Sequence, residues 1–186
     1  HGAGFGLPGG TTQAALNITA GGTLRTDGGQ ISAGPGGSTP TGNEHTFSSV
    51  VIDGVGSRWI VAPDRFGSGG AWLDVALHAN AQATINLSNG GQWIVDGNGQ
   101  GAGFDLGRGG QATLNINSGG KLQVTGGTNP QQTGVRIGRD SGSVAVTTVS
   151  GAGSELSVSG HVANVDVGNG AGATGTLNIL NLKHII

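Results

Sequence analysis

A fifteen-residue phrase returns along this chain: "AALNITAGGTLRTDG" (14–28), "ATINLSNGGQWIVDG" (83–97) and "ATLNINSGGKLQVTG" (112–126). Each copy alternates apolar and polar residues, breaks at a diglycine, and alternates again. Alternation with period two is the mark of a half-buried strand, and the Gly-Gly break is the mark of a turn. Anchoring on the second apolar residue of the first strand gives Ile18, Ile52, Leu87, Ile116, Val149 and Ile179, spaced by 34, 35, 29, 33 and 30 residues. A repeat of that length without helical periodicity is that of a β-solenoid. Each repeat is one coil, and no coil can bury its apolar side without its neighbours.

The coil has an internal grammar. The first strand reads Leu16-Asn17-Ile18, Ile85-Asn86-Leu87, Leu114-Asn115-Ile116 and Leu177-Asn178-Ile179, with variants at 50–52 and 147–149. The second strand points Leu24, Trp59, Trp93, Leu122 or Leu156 inward. The corner between them is a diglycine in "SGGK" (118–121), or one residue longer in "DGVGSRW" (53–59) and "SGAGSEL" (150–156). A third strand follows as "LDVA" (73–76), "FDLG" (104–107), "VRIG" (135–138) and "VDVG" (165–168), with "ISAG" (31–34) in the first coil and "PGGSTPTGNEHT" (35–46) as an insertion. The expectation is therefore an all-β chain, a single domain over 1–186. It is a single-stranded, right-handed parallel β-helix of about six coils with three short strands per coil. The strand-crossover rule and the family resemblance given below supply the handedness.

Composition narrows the function classes. Forty-one of 186 residues are glycine, suited to corners where positive φ and close stacking exclude a Cβ. Net charge is −2 and no basic run invites nucleic acid; no apolar run is long enough to span a membrane. Cysteine is absent, which fits export without oxidative folding. Methionine is absent too, so His1 is expected to follow a cleavage or to open a piece of a longer chain.

"TTVSGAGSELSVSGHVANVDVGNGAGATGTLNI" (147–179) resembles the repeats in passenger domains of bacterial autotransporter adhesins, and "VIDGVGSRWIV" (51–61) repeats its first half. The resemblance covers most of residues 13–180. It implies a right-handed β-helix exported to the cell surface or secreted, and no catalytic residue carries over from it.

Three sets of residues are candidates for chemistry. The third strands point Asp74, Asp105, Arg136 and Asp166 outward in successive coils, about 4.8 Å apart. Arg136 would sit between Asp105 and Asp166, while Asp74 over Asp105 sets like charges together. Either both carboxylates splay into water, or a cation such as Ca²⁺ sits between them, or they are an acid/base pair for a sugar-cleaving enzyme assisted by Arg108. The calcium nonapeptide is only half matched by "GQGAGFDLG" (99–107), and the histidines show no ligand spacing, so no metal or other cofactor is assigned. Asn17, Asn86, Asn115 and Asn178 form an outward column on the first strand, a structural ladder of stacked amides or a flat array for glycans or ice. Trp59 and Trp93 belong to the core, whereas Trp72, just before a third strand, is a possible stacking platform for a glycan.

The expected function is that of an extracellular structural or adhesive protein; the alternative is a polysaccharide-active enzyme or glycan-binding module on the same scaffold. The chain opens in a third-strand slot ("FGLP", 5–8) and closes after a second-strand slot ("LKHII", 182–186). Copies placed head to tail would complete whole coils, so the expected partner is the chain itself, with cell-surface or matrix glycans second.

Overall fold

The computed structural model describes residues 11–31, 45–63, 70–127 and 132–180. Within them the chain is a parallel β-solenoid of sixteen strands in three sheets, and no helix occurs. Numbered along the chain, the first sheet holds β1 (Thr11–Ile18), β4 (His45–Asp53), β7 (Ala81–Ser88), β10 (Gln111–Asn117), β13 (Val144–Ser150) and β16 (Thr174–Leu180). The second holds β2 (Thr23–Thr26), β5 (Arg58–Val61), β8 (Gln92–Asp96), β11 (Lys121–Thr125) and β14 (Glu155–Ser159). The third holds β3 (Gly29–Ile31), β6 (Ala71–Val75), β9 (Ala102–Leu106), β12 (Gln132–Ile137) and β15 (Val162–Val167). Every neighbouring pair is parallel, as one-way coiling requires. The described residues thus make five turns of three strands and a sixth strand on the first sheet, rather than six full coils.

The register follows the repeat. Ile18 pairs with Ile52, Ile52 with Leu87, Leu87 with Ile116, Ile116 with Val149 and Val149 with Ile179. On the second sheet Leu24, Trp59, Trp93, Leu122 and Leu156 fall in one column. The first coil departs from expectation on the third sheet. Gly29, Gln30 and Ile31, not residues 31–33, pair with Leu73, Asp74 and Val75. Ile31 is the one bulky apolar residue near that turn, and a two-residue shift keeps it facing the bore while filling the Val75 column. The "FGLP" and "LKHII" slots, and the insertion up to residue 44, lie outside the described residues.

Apolar side chains fill most of the bore, with Thr147 buried in the Leu114 column. Ile52, Ile85, Leu87, Trp93, Phe104, Leu114, Ile116 and Leu122 have no measurable exposure. Trp59 and Trp93 stack at 4.6 Å with 13° between their planes, and Phe104 meets Trp93 edge-on at 5.2 Å. Both are favoured aromatic geometries. Leu16, Leu156 and Leu177 are only partly buried. Val167 and Ile179, expected in the core, are 45% and 61% exposed, because no strand lies over the last turn among the described residues.

Corners explain much of the glycine. In the diglycine form the first glycine has positive φ, as at Gly119 (+82°), and the second has no room for a side chain. A Cβ on Gly120 would lie 2.2 Å from the Leu87 carbonyl oxygen one coil below. The longer corner ends in a buried serine that serves its neighbour. Ser57 Oγ accepts the Gly21 N–H at 3.0 Å, and Ser154 Oγ accepts the Gly119 N–H at 3.1 Å. Each long corner therefore caps the diglycine corner of the coil before it, which would otherwise leave a buried donor without a partner.

Candidate functional surface

The outer faces of the solenoid carry the alternate residues of each strand, which point away from the bore. The outer face of the first sheet carries Gln82, Thr84, Asn86, Gln111, Thr113 and Asn115 in adjacent strands. The expected asparagine ladder is a single rung: Asn115 Nδ2 donates to Asn86 Oδ1 at 2.9 Å. Asn17 pairs with Val51 and Asn178 with Thr148, so a non-amide side chain breaks the stack on either side. An open groove of about 490 Å³ lies at the early end of this sheet, lined by Gln13, Ala15, Phe47, Ser49, Gln82 and Thr84 among others.

The third sheet's outer face is more elaborate. Asp74, Asp105, Arg136 and Asp166 do fall in one column. The carboxylates do not splay into water, however. The Asp105 side chain is only 1% exposed and the Asp74 side chain 15%. Arg136 Nη1 donates to both Asp105 oxygens at 2.9 and 3.2 Å, and Arg136 Nη2 donates to Gln132 Oε1 at 3.1 Å. Arg139 Nη1 donates to Asp105 Oδ2 at 2.5 Å, and Arg108 Nη1 to Asp74 Oδ2 at 2.5 Å. Asp166 is not bridged by Arg136. It accepts from Asn164 at 2.8 Å and Asn169 at 3.2 Å.

Arg108 and Arg139 share one structural position. Each follows the corner glycine of its coil, Gly107 or Gly138, whose φ is +63° or +74°. From there each reaches back to the aspartate of the preceding coil. The like-charge contact of Asp74 over Asp105 is therefore answered from the corners, by guanidinium groups. Burial still pushes the Asp105 carboxyl above the usual carboxylate range, Asp74 adds to that push, and Arg136 and Arg139 pull against it.

Trp72 stands on this face, 39% exposed. Its strand neighbour is Gly103, whose own neighbour is Gly134. A Cβ on Gly103 would lie 2.2 Å from the indole, so the ring lies across the bare Gly103 backbone. The Arg136 guanidinium carbon is 5.5 Å from the ring centroid, within cation–π range. The candidates Trp72, Asp74, Asp105 and Arg108 are thus brought together on one face, away from Asn86 and Asn115.

Reading the sequence missed Arg139 and Gln132 and the seat that Gly103 makes for Trp72. The repeated "LGR" and "IGR" (106–108, 137–139) is the signal that could have found Arg139. No group of three or more histidines and carboxylates converges among the described residues, and no helix long and apolar enough to cross a membrane occurs among them. Comparison with family models, with curated proteins and with solved structures returns no match. The class that fold and surface define is the parallel β-solenoid with three strands per coil.

Proposed function

We propose that this chain is an extracellular structural and adhesive β-solenoid, of the autotransporter-passenger type that its repeats resemble, displayed at a bacterial surface or secreted, and lengthened by end-to-end stacking of copies. The observation that carries the reading is the state of the last turn. Val165, Val167 and Ile179 are 41%, 45% and 61% exposed, whereas Val135, Ile137 and Val149 in the same columns one coil earlier are 0%, 0% and 2% exposed. Three parallel edges, β14, β15 and β16, also stand without an outer partner among the described residues. Open edges beside an apolar face are a template for another chain.

A second copy is the occupant that fits best. Its β1, β2 and β3 run in the required direction and carry Ile18, Leu24 and Ile31 in the matching columns. A contact of this head-to-tail kind propagates as a filament when the rotation does not close a ring.

The enzyme alternative draws less support. General acid–base work needs a carboxyl free to exchange its proton with substrate, and Asp74 and Asp105 are each held by arginine. Light scattering and negative-stain microscopy over a range of concentrations test the proposal. Wild type should lengthen with concentration while Val167→Lys remains small. A wild-type chain that stays monomeric throughout refutes end-to-end stacking.

A further inference from the structure

Among the described residues, three places have a composition that coil stacking does not require: the Phe47 groove, the uncharged outer face of the first sheet, and the Trp72 cluster. The Trp72 cluster carries the most. A solenoid face needs only small polar residues outside, and the corresponding position of the neighbouring coils is glycine at 28, 103 and 134. Here one coil instead supplies an indole, which lies over the glycine of the next coil, while the Asn164 side chain lies over Gly134 in the coil after that. Two contacts hold the indole in place. It lies on the Gly103 backbone, and the Arg136 guanidinium beside it is itself fixed by Asp105 and Gln132. Such a ring presents an apolar platform without losing rotamer freedom on contact, the property that makes tryptophan an anchor at interfaces.

Charge decides what would lie on it. Beside the ring stands Arg136, and on the same face lie Asp74, two residues along the strand with its partner Arg108, and Asp105 of the next coil with its partner Arg139. Every one of the three guanidiniums is within 2.9 Å of a carboxylate oxygen. No cation is left unmatched to draw an anionic ligand, and both carboxylates nearest the ring are already engaged by arginine, which leaves them poor cation ligands. What the rim does offer is paired donors and acceptors at partial exposure. Arg108 and Arg139 are 32% and 31% exposed, and Asp140 is 51% exposed. A ligand that matches has a flat face of C–H bonds for the indole and hydroxyl groups that both give and accept hydrogen bonds at its edge.

We propose that Trp72, seated on the Gly103 backbone and flanked two residues along its strand by the Asp74–Arg108 pair, is a stacking subsite for a neutral pyranose sugar, one residue of a longer glycan laid along the third sheet. This names the ligand class for the adhesive part of the reading above and does not depend on filament formation.

Tryptophan fluorescence reads it out directly, because Trp59 and Trp93 are shut in the bore and Trp72 is the exposed indole. Dilute protein is titrated with neutral oligomers of glucose and of N-acetylglucosamine, and in parallel with oligomers of galacturonate. Emission, acrylamide quenching and calorimetric affinity are followed, with scattering recorded on the same samples. A neutral oligomer should shift the emission to the blue and protect it from acrylamide. Trp72→Ala, folded by circular dichroism, should lose the signal and weaken calorimetric binding by about tenfold or more, as loss of an aromatic anchor does. Arg108→Gln should weaken binding while keeping the fluorescence response. No binding by either neutral series, binding of galacturonate alone, or equal affinity in Trp72→Ala each overturns the proposal. Sugar binding in protein that never assembles would sink the filament and leave this subsite standing.

Discussion

Two tryptophans in identical slots differ in one respect that can be tested. Trp59 Nε1 donates to Thr26 Oγ1 at 3.0 Å, one coil below and two residues along. Trp93 stacks on Trp59 almost in parallel, and its Nε1 is buried without a partner. The residue standing to Trp93 as Thr26 stands to Trp59 is Val61, because Thr26 and Val61 are in register. Val61 is fully buried and has the shape of threonine. Val61→Thr therefore exchanges one methyl for a hydroxyl aimed at an orphaned donor.

Burying a hydroxyl without a partner destabilises a protein by about 1–3 kcal/mol on the mutational scale. An unsatisfied buried N–H carries a similar penalty, about 1–3 kcal/mol, which the new bond would remove. The two nearly cancel, and a net bond contributes about 1 kcal/mol. Val61→Thr should therefore be neutral to stabilising by about 1 kcal/mol. Val95→Thr is the control, since Val95 is equally buried but the next coil offers Leu122 in the indole slot. It should lose about 1–3 kcal/mol. Thr26→Val should lose about 1–2 kcal/mol by orphaning Trp59 Nε1. Urea unfolding of the three variants, compared through midpoints at constant slope, decides the matter. If Val61→Thr is as damaging as Val95→Thr, the indole N–H does not point where stacking places it and the reasoning fails.

Further outcomes follow from the same geometry. Gly120→Ala should destabilise strongly, because its Cβ would meet the Leu87 carbonyl at 2.2 Å, whereas Gly142→Ala meets nothing within 4 Å and should show only the strain of its φ of +76°, about 1–2 kcal/mol; thermal melts rank the two. Ser154→Ala leaves the Gly119 N–H without its acceptor and should lose about 1–3 kcal/mol. The raised pKa of Asp105 fixes a sign: the folded state holds this proton more tightly than the unfolded one, so the stability it contributes is full below the unfolded carboxylate pKa and is lost as pH rises through the folded one. The stability of wild type relative to Asp105→Asn should accordingly fall with rising pH across that window; a difference that grows instead means that Arg136 and Arg139 outweigh burial.

The fold was legible because the repeat states its own register. Ile18, Ile52, Leu87, Ile116, Val149 and Ile179 could be aligned by their surroundings alone, and a one-residue slip anywhere would have turned Asn86 inward and Leu87 outward. The weak point was the first coil's third strand. "ISAG" matched the motif by order of residues, but burial is decided by the column, and Ile31 takes the column that a large apolar side chain fills best. Short strands carry too few positions for pattern to outvote packing.

The outer face of the third sheet was legible only in part, for a reason that lies in the side chains themselves. Alternation says which way a residue points, and Asp74, Asp105 and Arg136 do point away from the bore. It does not say that pointing outward means meeting water. Long arginine side chains from the corners bend back over the strands, and an indole from one coil lies over the glycine of the next, so the outward layer becomes a second, polar core in which Asp105 is nearly as hidden as Ile137. A buried carboxylate on the outside of a solenoid is stable only while its guanidinium partners stay in place, since breaking such a pair leaves an uncompensated charge. Nothing in coil stacking requires that arrangement, because Gln, Thr and Asn serve the outer face of the first sheet without it. The bonds to Asp105 and Gln132 fix Arg136 beside Trp72. A ring held in this way suits the proposed sugar subsite, because its side chain has little freedom left to lose on contact.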